Sequence, residues 1–251
     1  MKMIWIYTLG SALLVSLVSL VGMWFIPMGP RFLKHAVLLL VSFSAGALIG
    51  DTFIHILPEA INEFGFDLSM SLSILTGILS FFVLEQFIHW HHCHRPDDQG
   101  HHAFVVTNLV GDGLHNFIDG LIIAASYMVS LPLGIATTFA VIMHEIPQEM
   151  GDLGVLIHGG FSKRKALFLN FGFALFALAG AASGLLIGGR SELFLRFILP
   201  FTAGGFLYIA NADLFPELHK NSKSGFDRLL HFLFILAGIG VMIGLLGLEI
   251  G

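Results

Sequence analysis

His115, Asn116 and Asp119 stand at helical spacing in one apolar stretch of the chain, and His144, Glu145, Gln148, Glu149 and Asp152 in the next. At roughly 100° per residue, positions 112, 115, 116 and 119 form one stripe, so Asp112 joins the first set. His115 and Asp119 are one turn apart and can reach one ion. His144 with Gln148, and Glu145 with Glu149, are again i, i+4 pairs. Imidazoles interleaved with carboxylates make a donor set for a divalent transition metal: Zn²⁺ above all, and also Fe²⁺, Mn²⁺ or Cd²⁺. Mg²⁺ and Ca²⁺ prefer shells of oxygen alone. No Lys or Arg lies between residues 103 and 162 to neutralise these acids. A carboxylate at the centre of a bilayer costs roughly 2.5–3.5 kcal/mol on insertion scales, so positive charge must come from elsewhere. Pro147 removes one backbone hydrogen bond, predicts a kink, and frees the Met143 carbonyl as a further ligand.

The elements that position these residues are membrane-spanning helices. The 251 residues are 56% hydrophobic and only 12% charged, with a mean hydropathy of +0.86. Soluble domains carry about twice that charge fraction. A net charge of −5 argues against a nucleic-acid partner, and the one cysteine, Cys93, excludes an internal disulfide. Eight apolar stretches, approximately 3–26, 33–58, 69–90, 103–130, 132–157, 165–188, 193–217 and 228–249, are each near or above the roughly 20 residues that cross a bilayer. The first is too long for the apolar region of a signal peptide and reads as a retained span. Alternation at β-barrel period is absent, and the connections are short. The expected fold is one all-α transmembrane domain, residues 1–251, of eight helices.

Nine of the twelve Lys and Arg residues fall on one side of these spans: Arg31, Lys34, Arg95, Lys163, Arg164, Lys165, Lys220, Lys223 and Arg228. The positive-inside rule then places both termini outside, extracellular or periplasmic. Phe43-Ser-Ala-Gly-Ala-Leu-Ile aligns without gaps on Phe201-Thr-Ala-Gly-Gly-Phe-Leu, and in that register Pro58-Glu59 falls on Pro216-Glu217. Spans 2 and 7 run in opposite directions, so this is an inverted repeat, a signature of secondary transporters. The connection between spans 3 and 4 holds His91, His92, Cys93, His94, His101 and His102. Residues 91–102 read as a cytoplasmic loop that binds zinc.

Blander readings stand beside these. His55 reads equally as a hydrogen-bonding packer between helices, and Asn116 as helix glue. Asp112, Glu149 and Asp152 read as pathway groups or as partners of the ligands. Gly120 and Gly172 read as close helix contacts. His144-Glu145-x-x-Gln148 invites comparison with the His-Glu-x-x-His helix of zinc proteases, but Gln148 replaces the second histidine. An intramembrane zinc metalloenzyme and a metal sensor without flux are therefore the alternatives to a transporter.

Taken together, His115-Asn-Phe-Ile-Asp-Gly120 and His144-Glu-Ile-Pro-Gln-Glu-Met-Gly-Asp152 resemble the ZIP (Zrt-, Irt-like) metal transporters, especially their LIV-1 branch. The resemblance extends over nearly the whole chain. It implies eight helices in a 3+2+3 arrangement, import of divalent metal across the cell membrane, and no enzymatic activity, with a homodimer left open. By that likeness His115, Asp119, His144 and Gln148 form the main transport site, with Asn116 and Glu145 at an adjoining second site. Asp51 and His55 lie along the pathway, and spans 1, 4, 5 and 6 move like an elevator against 2, 3, 7 and 8. Two departures stand out. Gln148 occupies a position where the branch has His and other members Glu, and span 6 offers only Asn170 and Ser183 where some members supply a carboxylate.

Overall fold

The computed structural model describes residues 2–25, 30–90, 100–188, 191–222 and 224–248, and every regular element among them is helical. The helices join into eight rods. The first is α1 (Lys2–Val18), a 3-10 turn (Ser19–Val21) and α2 (Gly22–Phe25). The second is α3 (Pro30–Asp51), a π-helical turn (Thr52–Ile56) and α4 (Leu57–Phe64). Then come α5 (Leu68–Trp90), α6 (Gly100–Val129) and α7 (Leu131–His158). The sixth rod is α8 (Lys163–Ala174) followed across Leu175 by α9 (Phe176–Gly188). The seventh is α10 (Glu192–Tyr208), a second π-helical turn (Ile209–Leu214) and α11 (Phe215–Asn221). The eighth is α12 (Gly225–Leu245), closing in a 3-10 turn.

Tight connections follow from local chemistry. Ser130, Ser162, Ser191 and Ser224 each cap a helix by accepting a hydrogen bond from the backbone N–H three residues on. Ser224 and Asp227 complete a reciprocal capping box. Gly65, at φ 73°, turns the chain out of α4 in a conformation that side chains resist. Asp67 then caps α5 through the Met70 N–H, at 2.9 Å, and pairs with Arg196 at the head of α10. These two partners, the Met70 N–H first, hold the Asp67 carboxyl below its usual range.

Six rods are long and apolar enough to cross a membrane. The rods α6 and α7 are not among them, because they carry the polar set read from the sequence. The second rod also runs on to Phe64 rather than stopping at Pro58. Pro58 lacks the N–H an α-turn needs, and a wide π turn precedes it. Pro216 follows the second π turn at the same distance.

Helices meet without side chains where carbonyls press on glycines. A Cβ on Gly46 would lie 2.1 Å from the Ile235 carbonyl oxygen, and one on Gly204 would lie 2.0 Å from that of Ile74. Gly120 faces the Ala177 carbonyl and Gly180 that of Phe117 at similar range. Small-residue contacts of this kind replace the hydrophobic drive that lipid removes. They pair α3 with α12, α5 with α10 and α6 with α9; with α7 and α1 packed on α6 and α9, the helices fall into two groups, α3, α5, α10 and α12 in one and α1, α6, α7 and α9 in the other. Gly120 is the close contact expected of it; Gly172 faces open space.

Candidate metal site

α6 and α7 pack against each other, and their polar stripes meet in the interior. His144 is fixed first. Its Nδ1 lies 3.1 Å from the Ala140 carbonyl, one turn back, so Nδ1 carries the hydrogen and Nε2 presents its lone pair. That Nε2 lies 3.2 Å from the Nε2 of His115. Asp119 Oδ2 stands 3.3 Å from His144 Nε2 and 3.6 Å from His115 Nε2. Glu145 Oε1 stands 3.5 Å from His115 Nε2 and 3.6 Å from His144 Nε2.

These five separations have a simple geometric meaning. Four donors at tetrahedral corners, each about 2.0–2.1 Å from a central zinc ion, are about 3.3–3.4 Å from one another. The measured edges run from 3.2 to 3.6 Å. Two neutral imidazoles and two carboxylates would also balance a divalent charge. Both oxygens of Asp119 and both of Glu145 are buried with no hydrogen-bond partner. Such atoms are costly unless a cation or proton meets them. Phe81 of α5 sets its ring edge-on to His115, with centroids 5.6 Å apart, and Phe206 of α10 flanks His144 at 5.9 Å. They keep water away from one side of the donors.

A second group, Asp112, Glu145 and Glu149, has ligand oxygens close enough to share an ion. Its surroundings are amides. Asn116 donates to Asp112 Oδ1 at 2.9 Å, and Asn170 of α8 donates to the Glu149 carboxylate. Asn108 donates to Asp152 Oδ1 at 2.7 Å. Asp112 Oδ2 and Glu149 Oε1 are left without partners.

The remaining sequence-derived residues fall as follows. Gln148 reaches the Asp112 carboxylate and lines two adjoining cavities, of about 210 and 380 Å³. The smaller also touches His115, Asp112, Asp152 and Asn108; the larger touches His144, Pro147, Glu217 and Lys220. Both share Glu85, Ile209 and Asp213, so they form one vestibule running from the histidines to the end of the bundle that holds α11. One turn further the other way, Leu48, Ile122, Ile123 and Val141 are wholly buried and apolar. Asp51 is buried with neither oxygen bonded, while His55 Nε2 is 2.9 Å from the Met242 carbonyl of α12. The Met143 carbonyl accepts a hydrogen bond from the Ser44 hydroxyl of α3. His91, His92 and His94, and the side chains of His101 and His102, lie outside the described residues.

Glu85 and Asp213 escaped the reading of the sequence, and Glu217 entered it only as part of the repeat. Glu85 left a usable sign, being a carboxylate inside the third apolar stretch. Its carboxylate accepts a hydrogen bond from the Tyr208 hydroxyl of α10.

Comparison with known proteins is consistent along the chain. The family model described as "ZIP Zinc transporter" matches residues 3–103 and 89–246. The Caenorhabditis briggsae protein "Zinc transporter zipt-7.1" is 32% identical over 95% of this chain and 78% of its own length. The human "Zinc transporter SLC39A7" is 30% identical over 98% of this chain and 72% of itself. The Pongo abelii "Zinc transporter ZIP13" is 32% identical over 95% and 77%.

Proposed function

The chain belongs to the ZIP zinc transporter family, and on that premise we propose that it carries Zn²⁺ across the cell membrane into the cytoplasm. The cargo is held by His115, Asp119, His144 and Glu145, and the observation that carries this reading is their near-tetrahedral spacing in a buried, otherwise unneutralised setting. Gln148 sits at the mouth of that group and meets the ion on its way out. Asn116, Asp112, Glu149 and Asp152 line the next stage inward, and Asp51 and His55 the stage outward. Fe²⁺, Mn²⁺ and Cd²⁺ are lesser cargoes of the same donors.

All eight rods cross the bilayer, with both termini outside. α6 and α7 cross despite their acids, because those acids face each other and the ion rather than lipid. The vestibule opens beside Lys220, on the side where Lys and Arg concentrate, so this is the inward-facing state. Spans 1–3 and 6–8 are inverted copies around spans 4 and 5. The 158-residue offset that pairs Phe43 with Phe201 and Pro58 with Pro216 also pairs Gly46 with Gly204. It matches the two π-helical turns to each other as well. The group α1 and α6–α9 shifts against α3–α5 and α10–α12, carrying its donors with it. Residues 91–102 bind zinc at the cytoplasmic mouth.

The test is uptake by the purified protein in liposomes, offered Zn²⁺, Fe²⁺, Mn²⁺, Cd²⁺ and Mg²⁺. Zinc accumulation without Mg²⁺ accumulation is expected. Zinc binding with no flux, in vesicles shown to hold folded protein, refutes transport and leaves a sensor.

A further inference from the structure

Ser44 is wholly buried in α3, and its hydroxyl has two carbonyls in reach. One is Leu40, a turn back in its own helix, at 2.7 Å. The other is Met143 of α7, on the opposing helix group. A hydroxyl has one hydrogen to give. The two acceptors are not equal. Leu40 already accepts the Ser44 backbone N–H as part of the helix ladder. Met143 has no such donor, because the residue four positions on is Pro147. The hydrogen therefore does most for the structure on Met143, the residue directly before the ligand His144.

We propose that Ser44 is a one-hydrogen latch between α3 and the broken turn of α7, and that it sets the balance between the inward-facing and outward-facing states. This rests on the two-state transport reading above. In the state seen here α7 is docked on α3 and the latch is closed, with the vestibule open beside Lys220. When α7 moves away, the hydroxyl falls back on Leu40 and no donor is stranded. Only the Met143 carbonyl loses a partner. The latch thus favours the inward-facing state by the worth of one buried carbonyl, a bias small enough for the cargo to overcome. An orphaned buried carbonyl shifts an equilibrium by roughly 5- to 150-fold.

The experiment uses the full chain in liposomes, with Cys93→Ser removing the one native thiol and Ala212→Cys placing one in the vestibule wall. A water-soluble thiol reagent supplied from the vestibule side reads the inward-facing fraction without any zinc. Zinc uptake reads the external half-saturation concentration. With the two states near balance once the latch is gone, Ser44→Ala is expected to slow labelling about two-fold and to tighten external half-saturation about 3- to 75-fold, because more carriers face out. Ser44→Thr keeps a hydroxyl and restores both values. Pro147→Ala gives Met143 an N–H partner within α7, so Ser44→Ala added to it should change neither value by as much as two-fold. If Ser44→Ala alone folds poorly, Pro147→Ala should rescue it by the same route.

Equal effects of Ser44→Ala with proline or alanine at 147, no effect in either, or failure of that rescue would overturn the latch. Absence of zinc uptake by the parent protein overturns transport instead, while labelling still reports on Ser44.

Discussion

Asp119→Asn separates charge from shape at the metal site. The side chains are nearly isosteric, and Asp119 has both oxygens buried and unbonded, so no hydrogen bond is broken by the change. Its Oδ2 provides two of the five measured edges of the donor group. With Asp119 and Glu145 both ionised, a divalent ion is balanced. With one amide, the filled site keeps a net positive charge near the centre of the bilayer. Such a charge costs roughly 2.5–3.5 kcal/mol on insertion scales. At about 1.4 kcal/mol per factor of ten, zinc affinity should fall roughly 60- to 300-fold. Glu145→Gln should do the same, although helical spacing alone does not rank Glu145 above Gln148. Calorimetric zinc titration of the purified protein reads the affinity, and liposome uptake reads the flux. The variants should also melt no lower than the parent without zinc, because each removes an uncompensated buried carboxyl. A loss under ten-fold for both variants, in folded protein, would refute the neutralisation argument and move the ion elsewhere.

Gln148→His should raise uptake of Zn²⁺ relative to Mn²⁺, and Gln148→Glu should do the reverse, by their nitrogen and hard-oxygen donors; unchanged ratios in competition assays would place Gln148 off the path. Gly120→Val should destabilise the protein by at least about 1–3 kcal/mol in detergent melts, since its Cβ would meet the Ala177 carbonyl oxygen at 2.0 Å. Gly172→Ala meets no such atom and should melt within error of the parent. The support from Asp67 should be complete above about pH 3.9, its unfolded reference value, and fade as pH falls through its lower folded value. Asp67→Asn should remove that part of the acid dependence of melting. Replacing His91, His92, His94, His101 and His102 by Ser should lower zinc bound per chain but leave uptake within a few-fold, and complete loss of flux would make residues 91–102 an obligatory exit path.

The polar residues of α6 and α7 were legible because membrane helices tolerate few acids, and those present must share a face. Which of them meet was not legible. Spacing makes His144 and Gln148 a pair and Glu145 and Glu149 another, and both pairs satisfy the same periodicity. The choice is made by how α7 turns toward α6, with Phe81 and Phe206 pressing from the other group. The sequence showed that Pro147 frees a carbonyl, but not that its donor is the hydroxyl of Ser44, a residue 99 positions away. Pro58 and Pro216 were visible as a repeated signal. The π turns before them were not, because a π turn has no composition of its own.

The division of labour between the two helix groups gives the site its mechanical logic. All four donors come from α6 and α7, which pack in one group, whereas Phe81 and Phe206 belong to the other. A shift of one group against the other would leave the ion with every ligand it had. It would exchange an aromatic wall for water. On the proposed transport reading, ligand exchange at zinc would be needed only at the ends of the movement, where Gln148 and the vestibule acids Glu85 and Asp213 line the cavities. Had the shell been shared between groups, each cycle would have to break metal–ligand bonds inside the membrane, where the freed carboxylates would have no partner. On the proposed reading, confining the shell to one group would keep the electrostatic cost of movement near that of sliding a neutral object. It also explains how a barrier of wholly buried Leu48, Ile122, Ile123 and Val141 can stand one turn away from a charged cargo.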